Sequence, residues 1–265
     1  MRYIICFEFL GENFFGSQKQ PDKRTVQEEI EKALCTLIKD KIKIIPSGRT
    51  DAKVSAEFQV AHFDVLEKIE NPSNFLYKLN CILPEDVKVF ELKEVNNDFH
   101  AQKDAKYKHY RYVIQNNRVA SVFCKDRNLF YPYLELNVDR LNKALSYLIG
   151  HHDFSAFKSV SDNPYNDCEI YFARAKKETI KRQNFIFIDI IGNRFLYNMI
   201  RAIVGELLFI ERNKLEPSVM GEVLNSKDRA RAANVVDAKG LTLIYVGYDN
   251  VENYIKKINS QKEGK

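Results

Sequence analysis

Apolar and polar residues alternate along eight stretches of the chain, which is the period expected of β-strands. In four other stretches the apolar residues recur every three or four positions, as on the buried face of a helix. The predicted strands are residues 2–9, 42–45, 59–63, 87–92, 106–114, 170–180, 185–191 and 241–248. The predicted helices are residues 26–37, 75–79, 138–148 and 195–210.

The order of these elements predicts an α+β fold. The first half runs strand, helix, strand, strand, helix, strand, which is the order of a ferredoxin-like unit, and the second half has a similar order. We therefore expect an N-terminal domain of residues 1–103 and a C-terminal domain of residues 104–250. The charged residues 251–265 are expected to form a solvated, helical tail.

Two local signals predict where helices begin and end. Thr25 and Glu28 have the spacing of a capping box, in which the threonine accepts a hydrogen bond from a helical N–H and the glutamate bonds back. Gly150 follows the third helix and is expected to cap its C-terminus.

The composition is that of a globular protein and excludes several functional classes. The 265 residues are 45% hydrophobic and 29% charged, and no apolar run reaches the roughly 18 residues of a membrane span. The N-terminus carries Glu8 and has no signal-peptide cleavage site, so we expect a cytoplasmic protein. The five cysteines form no C-x-x-C pair, which argues against disulfides and a zinc site. No phosphate-binding or dinucleotide-binding glycine motif is present, so no cofactor is predicted.

The main candidate for chemistry is the polar stretch 47–52 between two predicted strands. It carries Arg49 and Asp51, with Gly48 just before them. Loops held by a rigid scaffold often carry catalytic groups, so Asp51 is a candidate reactive carboxylate. A solvated Arg–Asp turn is the alternative interpretation, because such turns are common.

Arg201 is a charged residue on the most apolar of the predicted helices, residues 195–210. A buried arginine requires a partner, which is either a structural carboxylate or Asp51, whose pKa a nearby guanidinium would lower. Gly205 lies one turn later on the same face, where another backbone segment could approach closely.

The predicted strand 106–114 combines aromatic and basic residues. Tyr110 and Tyr112 share one face, which suits stacking on nucleobases beside phosphate contacts, although a strand with core-facing tyrosines shows the same pattern. The net charge is only +5, but basic residues concentrate in and around this strand. The candidate contacts to an RNA backbone are Lys103, Lys106, Lys108 and Arg111.

Several motifs together resemble the tRNA pseudouridine synthases of the TruA type. Gly48-Arg49-Thr50-Asp51-Ala52, followed by Gln59-Val60 and His62-Phe63, resembles the family signature. The other matching segments occur in the family's order over about residues 3–248. They are Phe15-Gly16, Arg24-Thr25-Val26-Gln27-Glu28, Leu83-Pro84-Glu85-Asp86-Val87, Phe99-His100-Ala101, Tyr110-Arg111-Tyr112, Met199-Ile200-Arg201 and Gly240-Leu241.

The resemblance implies a function and roles for these residues. It implies isomerisation of uridine to pseudouridine at positions 38, 39 and 40 in the anticodon stem-loop of tRNA, by a homodimer without metal or organic cofactor. Asp51 would be the catalytic nucleophile or stabiliser, Arg201 its ion-pair partner, and Tyr110 the ring that stacks on the flipped base. Arg49 would contact phosphate or help to displace the base. The implied fold is two ferredoxin-like halves that form one continuous, mainly antiparallel sheet flanked by helices.

The sequence departs from the family pattern at four positions, Ser17, Lys53, Ser55 and Gln102. Lys53 stands where the family has glycine, so a positive φ at this position would be strained. Two rival functions also fit the chain: a non-catalytic RNA-binding or tRNA-folding protein, and a hydrolase that uses Asp51. The hydrolase would normally need a second carboxylate, and none neighbours Asp51 in sequence.

Overall fold

The computed structural model describes residues 1–124, 127–160 and 164–260, which divide into two compact units. The first unit comprises Met1–Ala105 and Thr242–Tyr248, and the second comprises Lys106–Leu241 and the segment from Asp249 onwards. Both units combine helices with an antiparallel sheet, so the α+β prediction is confirmed.

The first unit is a ferredoxin-like arrangement. Its elements are β1 (Arg2–Phe9), α1 (Val26–Ile38), β2 (Ile45–Pro46), β3 (Ser55–Asp64), α2 (Pro72–Ile82) and β4 (Val87–Val95). The central strand β1 pairs antiparallel with β3 and β4, and β2 pairs antiparallel with β3. The strand order is therefore β4-β1-β3-β2, with two helical crossovers.

Strand β3 also receives a strand from the far end of the chain. β10 (Leu241–Gly247) runs parallel to β3, with Thr242 opposite Ser55, while β2 lies opposite Ala61 and His62. The two strands thus share one edge of β3. β3 is therefore paired along both edges, and eight of its ten residues are at least partly buried.

The core of the first unit lies between the sheet and its helices. Tyr3, Ile5 and Phe7 alternate along β1, and all three are at most 2% exposed. On α1 the residues Val26, Ile30, Ala33 and Leu34 form the predicted buried face. The periods of two and of about 3.6 residues therefore place both apolar faces as the sequence indicates.

The second unit also combines a sheet with helices, but it has additional short strands. Its strands are β5 (Tyr107–Gln115), β6 (Leu129–Phe130), β7 (Gly150–Asp153), β8 (Asp167–Ile180) and β9 (Gln183–Gly192). The sheet order is β5-β9-β8-β7, antiparallel throughout, with β6 parallel to β5. Its helices are α3 (Val138–Ser146), α4 (Met199–Arg212), α5 (Val219–Ser226) and α6 (Val251–Ser260).

Both predicted helix-end signals are wrong in their details. Thr25 is the N-cap residue of α1, but its side chain makes no capping hydrogen bond and its hydroxyl is buried without a partner. Glu28 instead forms an ion pair with Lys32, 3.3 Å away. Gly150 begins β7 with φ +108°, and α3 ends at Ser146. A main chain that turns directly into a strand needs glycine for the turn, not for a helix cap.

Several element boundaries also differ from prediction, and two of the differences have a local structural cause. The strand predicted over residues 42–45 is only Ile45–Pro46, because Ile42 and Ile44 pack into the core outside regular structure. The helix predicted from residue 195 begins at Met199, since Asn198 adopts the left-handed conformation with φ 62°. The tail predicted as a helix is helical over Val251–Ser260, and its remainder lies outside the described residues.

Candidate active site

Asp51 lies on a loop, residues 47–54, that connects β2 to β3 in the first unit. Thr50 and Val54 are buried, Asp51 is half-buried, and Arg49, Ala52 and Lys53 are exposed. The prediction that Asp51 lies on a polar loop between two strands is therefore confirmed. Such a loop presents a carboxylate while its neighbours remain packed in the protein.

The start of the loop is fixed by Gln59, a fully buried residue of β3. The Gln59 side chain accepts a hydrogen bond from Ser47 Oγ and donates one to the carbonyl of Gly48 at 3.1 Å. The main-chain N–H of Ser47 donates to Val60 O at 2.7 Å. Since a buried amide that loses its partners is costly, these bonds hold Ser47 and Gly48 in one position.

The loop is also fixed in its middle by the segment that follows β1. Ser17 Oγ accepts a hydrogen bond from Thr50 N at 2.8 Å, and Ser17 N donates to Thr50 O at 3.1 Å. Lys53 N donates to Phe14 O at 3.2 Å. Gly16 lies so close that a Cβ atom there would be 2.9 Å from Thr50 O. The segment 14–17 therefore contacts the loop backbone on both sides of Asp51.

The departures at Ser17 and Ser55 thus have structural explanations. Ser17 is 4% exposed and directly bonds the Asp51 loop. Ser55 is 3% exposed, and its Oγ accepts a hydrogen bond from Gly11 N at 3.0 Å. Neither role could be inferred from the sequence, because a single serine carries no pattern that identifies its hydrogen-bond partner.

Lys53 has φ 67°, in the left-handed region where glycine is favoured. The strain expected at this position is therefore present. The residue completes a tight turn, in which Val54 N donates to Asp51 O at 3.2 Å.

Tyr110 lies on β5 in the second unit and is 7% exposed. Its ring meets Phe195 edge-on, with the ring centroids 5.1 Å apart. Strand alternation puts Tyr110 on the same face as Lys108 and Tyr112. Tyr112 is fully buried, and its hydroxyl donates to Asp237 O at 2.7 Å, so it packs as a core residue.

Arg201 is half-buried in the first turn of α4. Its Nε donates to Val236 O at 2.9 Å, and its Nη1 donates to Asn198 Oδ1 at 2.6 Å. Tyr112 bonds the carbonyl of the residue that follows Val236, so β5 and Arg201 hold the same short segment. The left-handed Asn198 is a positioning residue that the sequence did not indicate.

The expected close approach at Gly205 is confirmed. A Cβ atom there would lie 2.1 Å from Asn234 O, a distance that no side chain could accommodate. The segment 234–237 therefore passes directly over α4, one turn from Arg201. Asp51 belongs to the first unit, and Tyr110 and Arg201 belong to the second.

The candidate RNA contacts lie in different surroundings. Lys103, Lys106 and Arg49 are exposed. Lys108 is half-buried, and burial, with repulsion from Arg194, lowers the pKa of Lys108 to about 8.

Arg111 lies on the opposite face of β5 from Tyr110, within a partly buried polar network. Its Nε donates to Asp189 Oδ1 at 2.7 Å, and His109 Nε2 lies 2.8 Å from the same oxygen. Burial alone would raise the pKa of Asp189, but the hydrogen bonds from His109 and Arg111 hold it below its usual range. His109 Nδ1 also lies 3.0 Å from the Tyr254 hydroxyl on α6, so this network anchors the C-terminal helix.

Two kinds of feature, a metal site and a membrane-spanning helix, are absent from the described residues, 1–124, 127–160 and 164–260. No group of His, Cys, Asp and Glu side chains there is arranged to hold a metal ion. No helix in this part of the chain has the length and apolar character that crossing a membrane requires.

Comparisons with known proteins identify close relatives along most of the chain. Residues 5–104 and 144–249 match a family model described as tRNA pseudouridine synthase. A tRNA pseudouridine synthase A of Ruminiclostridium cellulolyticum is 38% identical over 250 residues, covering 94% of this chain and 100% of the relative. That of a Thermoanaerobacter species is 37% identical over 248 residues, 92% of this chain and 98% of the relative. That of Francisella philomiragia is 35% identical over 249 residues, 93% of each chain.

Proposed function

This chain belongs to the tRNA pseudouridine synthase family, and we propose that it isomerises uridines 38, 39 and 40 in the anticodon stem-loop of tRNA. The observation that carries the proposal is the Asp51 loop, a carboxylate presented on a backbone fixed by Gln59 and Ser17. Catalysis requires such a group to be held in its reactive geometry before the substrate arrives.

The reaction rearranges bonds within one nucleotide. The N1–C1′ glycosidic bond breaks, the uracil turns, and a C5–C1′ bond forms while C5 loses its proton and N1 gains one. Atoms and electrons balance without an oxidant, a reductant or an energy source. The enzyme therefore has to extract the base from the stack, stabilise the separated fragments and manage one proton.

Asp51 is proposed to act on the nucleotide when the glycosidic bond breaks, as nucleophile or as the charge that stabilises the ribose fragment. A carboxylate does either only when ionised. Arg201 is the proposed ion-pair partner that keeps it so, since a nearby guanidinium favours the charged form. The bonds from Arg201 to Val236 and Asn198 support this role because they fix the direction of its side chain.

Tyr110 is proposed to stack on the flipped uracil and to assist removal of the C5 proton. Its ring is backed by the edge of Phe195, which restricts the positions that the ring can adopt. Lys103, Lys106, Lys108 and Arg49 are proposed to contact phosphate, which sets affinity and register rather than sequence choice. For Arg111, which lies on the opposite face of β5, the ion pair with Asp189 favours a structural role.

The resemblance to the family also supports two proposals about the whole protein. We propose that it works as a homodimer and that it acts in the cytoplasm, where tRNA is modified. No cofactor enters the proposal, because the isomerisation requires none.

The proposed activity can be tested with an unmodified tRNA transcript labelled with tritium at C5 of its uridines. The protein should release tritium to water, and pseudouridine should map to positions 38, 39 and 40. Absence of tritium release with intact RNA binding would favour a non-catalytic RNA-binding protein. Free uracil in place of pseudouridine would identify a hydrolase.

A further inference from the structure

Phe15 is an exposed aromatic residue on the segment 14–17, which contacts the Asp51 loop. Its side chain is 52% exposed, although its main chain is well fixed. Phe15 N donates to Arg24 O at 3.0 Å, and Phe15 O accepts from Gln20 Nε2 at 2.7 Å. A single exposed apolar side chain is ordinary on a protein surface, so its surroundings decide whether it has a function.

The ammonium group of Lys23 lies close to the Phe15 ring. Lys23 Nζ lies 4.5 Å from the centroid of Phe15, within the distance of a cation–π contact. Between Phe14 and Lys23 the chain carries two lysines, Lys19 and Lys23, against one acid, Asp22. With the ammonium over one face of the ring, the other face could stack on a base while the charge contacts a phosphate, the combination that binds single-stranded nucleic acid.

The position of Phe15 relative to Asp51 follows from its neighbour in the chain. A Cβ atom on Gly16 would lie 3.5 Å from the carbonyl carbon of Asp51. Since consecutive Cα atoms are about 3.8 Å apart, the Cα atom of Phe15 lies within about 9 Å of that carbon. The main chain of Phe15 therefore lies beside the candidate catalytic loop, and both belong to the first unit.

We propose that Phe15 is a stacking platform for a base next to the target uridine, with Lys23 at the adjoining phosphate. The inference rests on the proposed function, because it needs a uridine bound at Asp51. A base that leaves the stack deprives its neighbours of a stacking partner, and the Phe15 ring replaces that partner. Stacking tolerates any base, since every base has a π-face. A platform of this kind therefore suits an enzyme that acts at three adjacent positions with different flanking bases.

The chain contains no tryptophan, which allows a direct test by fluorescence. Phe15→Trp introduces a single indole at the platform, in an Asp51→Asn background so that bound RNA is not converted. Phe209→Trp in the same background is the matched control, because Phe209 is 47% exposed but lies on α4 in the other unit. The probe is an unmodified anticodon stem-loop RNA. We expect it to quench the fluorescence of Phe15→Trp on binding and to leave that of Phe209→Trp unchanged.

Truncation of the ring tests the same contact through affinity. Phe15→Leu should weaken binding of the stem-loop by roughly 5- to 150-fold, the range expected for one base–aromatic stack. Phe15→Tyr should retain wild-type affinity, and Phe209→Leu should leave affinity unchanged. Lys23→Met should reduce the slope of log K against log salt by about 0.7, as for one phosphate contact to a single strand.

Failure of this inference can be distinguished from failure of the proposed function. RNA that binds Phe15→Trp without quenching it, or that quenches both tryptophan variants equally, would overturn the stacking platform even if the wild-type protein releases tritium. A wild-type protein that releases no tritium from tRNA would overturn the proposed function, and the platform with it.

Discussion

Lys53 holds a left-handed backbone conformation two residues after the proposed catalytic aspartate. A side chain with a Cβ atom pays about 1–2 kcal/mol in this region, whereas glycine enters it freely. Glycine also loses more conformational freedom on folding, which offsets part of the gain. We therefore predict that Lys53→Gly raises the free energy of unfolding by about 0.5–1 kcal/mol. Denaturant unfolding of the variant and the wild type would measure this difference.

Lys43→Gly is the control for that experiment. Lys43 is also an exposed lysine of the first unit, but its φ lies outside the left-handed region. The same substitution there should destabilise the protein, because only the entropic cost of glycine remains. If Lys53→Gly were as destabilising as Lys43→Gly, the strain assigned to residue 53 would be absent.

At the scale of single elements, the strands were predicted best. The bounds predicted for β1 match the structure, β5 is shifted by one residue, and β3, β8 and β9 extend the predicted strands by about three to five residues. Alternation is a strong signal where one face of a strand is buried, since a shift of one residue would expose the whole apolar set.

Helix ends were predicted less well because they depend on single contacts. Thr25 occupies the predicted N-cap position, yet its hydroxyl does not bond the helix. The start of α4 is delayed by the left-handed Asn198, whose side chain accepts a hydrogen bond from Arg201. A sequence pattern indicates which residues are apolar, but it does not indicate such a local bond.

Strand β3 buries an imidazole whose protonation is coupled to stability. His62 is 1% exposed, and its Nδ1 accepts a hydrogen bond from Ala101 N at 3.1 Å. Burial, with repulsion from Arg2 and His100, lowers the pKa of His62 to about 4, against an opposing effect of Asp64 and Asp104.

The unfolded protein therefore binds a proton at His62 at higher pH than the folded protein does. The stabilising contribution is complete above the ordinary histidine pKa of about 6.5 and is lost as pH falls towards 4. We predict a loss of roughly 3 kcal/mol in the free energy of unfolding over this range from this group. Denaturant unfolding at a series of pH values would measure it.

His62→Asn separates this contribution from that of the acidic residues. The asparagine side-chain oxygen can accept the Ala101 hydrogen bond but does not titrate. The variant should show a shallower decline in stability between pH 6.5 and 4 than the wild type. Parallel declines for the two proteins would contradict the assignment to His62.

At the scale of the whole molecule, the residues proposed for catalysis come from both units of the chain. Asp51 follows β2, Tyr110 lies on β5 and Arg201 lies on α4. Spacing along the sequence could not connect them, and the resemblance to a family supplied that connection. Gln59 lies in the matched motif and Ser17 departs from the family pattern, but neither signal indicated that these residues position the Asp51 loop. Their roles depend on which main-chain atoms the fold brings to them.

The proposal as a whole depends on the carboxylate of Asp51, and the substitution Asp51→Asn removes only its charge. Asp40→Asn is the matched control, because Asp40 is an exposed aspartate in the same unit, outside the loop. The rate of tritium release should be measured under single-turnover conditions with saturating protein, together with the Kd for tRNA.

We predict that Asp51→Asn lowers this rate by on the order of 10³-fold or more, as expected when a group that acts on the reacting atoms is removed. Its Kd for tRNA and its stability should remain close to those of the wild type, and Asp40→Asn should keep the wild-type rate. Tritium release by Asp51→Asn within about tenfold of the wild-type rate, a difference of about 1.4 kcal/mol in barrier height, would contradict the assignment of Asp51 as the catalytic residue.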